Sequence, residues 1–148
     1  MSGDPTMRDL IDRVEAVRAS IGDPARQPAM EKLTKRGRLS ARERIARLVD
    51  PGTFSEMGGF VAAEDDGIGA EKFPVRTASP ADGVVAGMAQ IEGRTVVVFS
   101  QDFSVHGGSI GKLGSAKVQR SLQIAITRGL PLVMILDGGG HRIQDGQD

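Results

Sequence analysis

The sequence predicts an α/β domain with helices first, then a β-hairpin, then a strand–helix–strand unit, and three observations carry that reading. Met7, Leu10, Ile11, Val14 and Val17 recur at helical spacing and give one apolar stripe. The β-rich runs "GVVAGMAQI" and "TVVVFS" are joined by "EGR", Glu92 to Arg94, a short turn suited to antiparallel pairing. A helical stretch from Lys112 to Thr127 then leads into "LVMIL", Leu132 to Leu136, which reads as a buried strand.

Each element has local signals. Gly22, Pro24 and Pro28 interrupt the first helix. Ser40 and Glu43 form an S-x-x-E capping box ahead of Ile45, Leu48 and Val49, and "DPG", Asp50 to Gly52, ends that second helix. Neither helix buries its stripe alone, so both are expected to lie against other parts of the molecule. Residues 58–82 are rich in Gly, Ala and charge with little periodicity, and read as a long loop. In the third helix Leu113, Val118, Leu122, Ala125 and Ile126 are the expected inner face. Gly129 suits its C′ position and Pro131 blocks continuation. The expected division is a helical segment over 1–30 and a main domain over 31–148.

Composition excludes several functions. Lys plus Arg and Asp plus Glu are 19 each, so no net field draws the chain to nucleic acid or an anionic membrane. Tyr and Trp are absent, which removes the usual platforms for stacking bases. No apolar run approaches the roughly 20 residues of a membrane helix, and the acidic start "MSGDPTMRDLIDRV" is no secretory leader. The cytoplasm is the expected compartment. Without cysteine there is no thiolate metal site and no thiol nucleophile.

Twenty glycines among 148 residues are roughly twice the usual share, and two clusters follow the inner strands. "HGGSIG", His106 to Gly111, comes after one, and "DGGGHRIQDG", Asp137 to Gly146, after the other. In α/β sheets ligands bind beyond the carboxyl ends of strands, and parallel inner strands put both turns at one edge. Glycine lets amides approach a ligand with no Cβ in the way. A helix starting near His141 would add unsatisfied N–H groups, and together these make a cradle for a developing oxyanion. Tight turns with no ligand remain the alternative. "GGSIGK" fails the phosphate-loop pattern, with His106 in place of the first Gly and Leu113 where Ser or Thr belongs. His106 and His141 lie inside the turns, but two histidines without further ligands do not make a zinc site. Either imidazole is a candidate base, subject to geometry.

The ordered segments "GRLSARERIARLVDPGTFSE", "DGVVAGMAQIEGRTVVVFSQDFSVHGGSIG" and "GLPLVMILDGGGHRIQDG" resemble the carboxyltransferase (β-type) subunits of biotin-dependent acyl-CoA carboxylases. The resemblance runs from about Arg36 to the C-terminus. It implies a partial crotonase-like (ClpP/crotonase) fold and carboxyl transfer from carboxybiotin to the α-carbon of an acyl-CoA. It places oxyanion donors at Gly139, Gly140 and the N–H of His141, with Gly107, Gly108 and Ser109 lining the same cavity. Arg38 and Arg42 fall where the family lies near bound CoA. The implied partners are acyl-CoA, a biotin carboxyl carrier with its biotin carboxylase, and other carboxyltransferase subunits. The family scheme leaves proton removal to the cofactor, which accounts for the lack of an acid–base pair in this sequence.

Two departures stand out. Many members read D-S-G-G-A-R-I-Q-E-G where this chain has "DGGGHRIQDG", so Gly138 replaces serine, His141 alanine and Asp145 glutamate. The chain also resembles only the front part of the first of two crotonase-like halves. The expectation is therefore an N-terminal fragment that is inactive alone and inclined to oligomerise. Two other readings are a non-catalytic acyl-CoA-binding or assembly module and a minimal crotonase-type hydratase or isomerase.

Overall fold

The computed structural model describes residues 4–62 and 79–142. Most of the expected loop at 58–82 and everything after Arg142 lie outside the described residues.

Helix α1, Met7–Ile21, is followed by a 3₁₀ turn, Asp23–Arg26, and by α2, Gln27–Lys35. The sequence reading missed α2 because it took Pro28 as a breaker. Pro28 lies in the first turn of α2, where a missing N–H costs nothing. Helix α3, Ala41–Leu48, starts at the expected capping box: Ser40 Oγ accepts from Glu43 N at 3.0 Å, and Glu43 Oε2 accepts from Ser40 N at 2.9 Å. Ser40 is buried and its hydroxyl also donates to Asp23. Ser40→Ala is expected to cost about 1–2 kcal/mol, read as a lower urea midpoint with an unchanged m-value.

One four-stranded sheet has the order β1-β2-β3-β4, with β1 Ser55–Met57, β2 Val84–Ile91, β3 Arg94–Gln101 and β4 Leu132–Ile135. The hairpin turns at Glu92 and Gly93, both at positive φ, as a two-residue primed turn requires. The Asp50 carboxylate accepts both turn amides, at 3.0 and 2.8 Å. Helix α4, Lys112–Arg128, carries the chain from β3 to β4, which pair in parallel. It ends at Gly129 in the left-handed region.

The sheet is covered on both faces. Ala41 and Ile45 of α3, with Val49 just past its end, pack with Val85, Ala89, Val96 and Val98. On the other face Val84, Ala86 and Phe99 meet Val118 of α4. This two-sided burial explains the unbroken apolar run of β3.

Three expectations need correction. Of the expected inner face of α4, Ala125 is buried and Val118 packs on the sheet, but Leu122 and Ile126 are exposed, and Gly114, Lys117 and Ser121 are buried instead. Small residues win the inner face because the helix lies close to β2: a Cβ at Gly114 would be 2.7 Å from Asp82 O. Strand β4 is half-buried rather than buried, with Met134 exposed, because it ends the sheet among the described residues. Finally, α3 buries Ile45, and Val49 just past its end is buried too, but Leu48 is exposed, and α1 buries no residue.

Candidate functional site: two glycine turns on one rim

The parallel pairing of β3 and β4 delivers both glycine turns to the same edge of the sheet. The turns are laced by backbone bonds, Ile110 N to Gly140 O at 2.8 Å and Arg142 N to Ile110 O at 2.8 Å. Ile110 and His141 thereby form a short parallel bridge beyond the sheet proper.

The glycines divide into two sets. A Cβ at Gly108 would be 2.1 Å from Asp137 O, and one at Gly138 would be 2.0 Å from Gly108 O. Those two let the turns touch. Gly107, Gly139 and Gly140 have nothing within 4 Å of an added Cβ. They face open space.

The amides divide along similar lines. Gly108 N donates to Val105 O at 2.9 Å and Ser109 N to His106 O at 3.3 Å, so neither offers its proton outward. The N–H groups of Gly107, Gly139, Gly140 and His141 reach no acceptor among the described residues. All four residues are exposed. Exposed backbone donors without a protein acceptor are the kind of group that a localised negative charge requires.

Charged groups hold the second turn. Asp137, its first residue, places one carboxylate oxygen 2.6 Å from Arg38 Nη1 and pairs through the other with Arg44. Its amide donates to Gln101 Oε1 at 2.6 Å. At the far end Arg142 pairs with buried Asp82. The two arginines proposed near CoA are thus engaged differently. Arg38 lies 4.1 Å over the Phe103 ring and keeps 39% of its side chain exposed. Arg42 spends both Nη groups on Glu56, at 2.5 and 3.0 Å.

Lys117 is buried under the start of β2 and donates to the carbonyls of Ala81, at 3.2 Å, and Val84. Burial pushes its ammonium down to about 8, only partly opposed by the charge of Glu56. The sequence reading missed Asp82, Arg142 and Lys117. The polar residue Asp82 directly before an apolar strand was the one available signal. Among the described residues no group of three His, Asp or Glu side chains is placed to hold a metal ion. No helix there is long and apolar enough to cross a membrane. The apolar pocket of about 410 Å³ between Met57 and Ile124 has no residue of either glycine turn in its lining.

Comparison with known proteins places the whole chain. A family described as carboxyl transferase domain matches residues 32–148. The chain is 39% identical over 143 residues to the propionyl-CoA carboxylase beta chain of Roseobacter denitrificans, covering 96% of this chain and 27% of that protein. It is 42% identical over 137 residues to the mitochondrial propionyl-CoA carboxylase beta chain of Homo sapiens, covering 91% and 25%. Among solved structures, transcarboxylase 12S, described as a hexamer with methylmalonyl-coenzyme A bound, superposes with a TM-score of 0.80 at 36% identity, covering 97% of this chain and 28% of that one. A single-chain, multi-domain long-chain acyl-CoA carboxylase gives 0.83 at 34% identity, covering 97% and 15%. The chain thus spans about a quarter of the length of the curated relatives. The crotonase-like α/β reading of the sequence holds, and the chain belongs to the carboxyl transferase domain family.

Proposed function

We propose that this rim is the enolate-holding part of an acyl-CoA site, within a protein that transfers a carboxyl group to the α-carbon of an acyl-CoA. One observation carries the reading: the exposed amides of Gly139, Gly140 and His141 have no acceptor among the described residues. When the α-proton of a thioester leaves, charge moves onto the carbonyl oxygen. Fixed N–H donors stabilise that oxygen more than the starting carbonyl, and losing one donor typically costs about 10²–10³ in rate. Carboxybiotin, when bound, supplies the activated carboxyl group. The residues here fit the thioester half of the reaction, and we assign none of them to the biotin ring.

Gly107 adds one further outward amide from the first turn, while Gly108 and Ser109 act as its packed wall. Arg38 is better placed for a CoA phosphate than Arg42, since it is more exposed and Arg42 is committed to Glu56. A biotin carrier with its carboxylase and further carboxyltransferase subunits are the partners this reading calls for, and the hexamer of transcarboxylase 12S supports the latter. An assembly module is a second reading, favoured by the exposed Met7, Leu10, Ile11, Val14 and Val17 of α1. The hydratase reading loses ground because Asp82, Asp102 and Asp137, the carboxylates at this edge among the described residues, are all paired with arginines.

Titration of the 148-residue chain with CoA and with a nitroalkyl analogue of propionyl-CoA tests the proposal, because the nitronate mimics the enolate's charge. The analogue is expected to bind at least about ten-fold more tightly, as transition-state analogues do. Equal affinities would overturn the reading.

A further inference from the structure

The second turn ends at an ion pair buried more deeply than any other among the described residues. Arg142 Nη1 lies 2.6 Å from Asp82 Oδ1, and the side chains are 2% and 0% exposed. Asp82 Oδ2 accepts the Gly114 amide at 2.7 Å, in the first turn of α4. Arg142 Nη2 donates to Ser109 O at 3.2 Å, in the first glycine turn. One carboxylate and one guanidinium therefore tie together the segment before β2, the start of α4 and both turns.

The backbone around the pair shows how firmly it is set. Ala81, next to Asp82, sits at φ +56, a region that residues other than glycine, asparagine and aspartate seldom hold. The Arg142 amide donates to Ile110 O, and the Ile110 amide donates to Gly140 O. Arg142 is thus two residues beyond Gly140, and both are bonded to Ile110. A pair this deep adds little net stability, since the loss of hydration offsets much of the attraction. What it fixes is direction, because a guanidinium fork tolerates few orientations.

Resting on the proposed function, we propose that Asp82 and Arg142 are positioning residues that aim the Gly139–His141 amides at the thioester oxygen. Neither touches the reacting atoms. Their effect passes through the peptide units between Gly140 and Arg142, so it falls on charge recognition and spares recognition of CoA.

Arg142→Lys and Asp82→Asn in the 148-residue chain test this. Arg142→Lys keeps the charge and loses the fork. In a variant shown by circular dichroism to be folded, preference for the nitroalkyl analogue over CoA is expected to fall at least about ten-fold, with CoA affinity unchanged. A folded variant that keeps the wild-type preference overturns the proposal. If both variants fail to fold, ¹⁵N relaxation of the wild-type chain decides. Order parameters of Gly139 and Gly140 nearer to those of β3 than to that of Gly93 at the hairpin tip support it, and the reverse overturns it. A wild-type chain with no preference for the analogue refutes the oxyanion reading, and the relaxation data then decide the positioning role alone.

Discussion

Gly108→Ala is expected to destabilise the chain by roughly 3–4 kcal/mol, whereas Gly107→Ala costs only about 1–2 kcal/mol. Both glycines hold positive φ, so both substitutions carry the backbone penalty. Only at Gly108 does the new methyl meet backbone, 2.1 Å from Asp137 O, and backbone cannot rotate aside as a side chain does. The difference between the two variants therefore isolates the contact between the turns. Urea denaturation of both variants measures it, and equal midpoints would show that the turns do not press on each other. Gly138 takes part in the same contact from the other side. The serine found there in many members would need the turns to stand further apart than they do here.

The second large effect is on pH dependence. The Lys117 ammonium is lowered from 10.5 to about 8 by burial. Below pH 8 both folded and unfolded chains hold the proton, and the folded state bears the cost of a charge removed from water. Between pH 8 and 10.5 the unfolded chain binds more protons than the folded one, so stability rises with pH. The rise from this group is on the order of 3 kcal/mol. Lys117→Met removes it. Stability curves of wild type and variant are expected to diverge across that window, and parallel curves would show that the amine is not buried as described. Above pH 8 the neutral amine still donates to Ala81 O and Val84 O, so the local geometry survives the proton's loss.

Much of this fold is legible in the sequence, for physical reasons that differ by element. The α3 cap was readable because a capping box is a contact between residues three apart. The hairpin was readable because Glu92 and Gly93 carry the turn's demand for positive φ locally. The inner face of α4 was legible only at Val118 and Ala125, because periodicity ranks residues by apolarity. Close approach to the sheet also selects Gly114 and Ser121, and Lys117 finds carbonyls there. At the rim, the sequence pointed to the two glycine turns but could not separate Gly108 and Gly138, which allow contact, from Gly107, Gly139 and Gly140, which face outward. Asp82 and Arg142 are sixty residues apart, and only the folded chain reveals them as one unit. The same holds for Asp137, whose arginine partners come from the other end of the chain.

Helix α4 is fastened unevenly along its length. Its first half is bolted down by the Gly114 amide on Asp82 and by Lys117 on two carbonyls, next to the glycine turns. Further along, Leu122 and Ile126 are exposed, and past Ser121 only Ala125 of the helix is buried. Thermal motion in this helix should therefore grow with distance from the rim, leaving the end beside the glycine turns quieter than the far end.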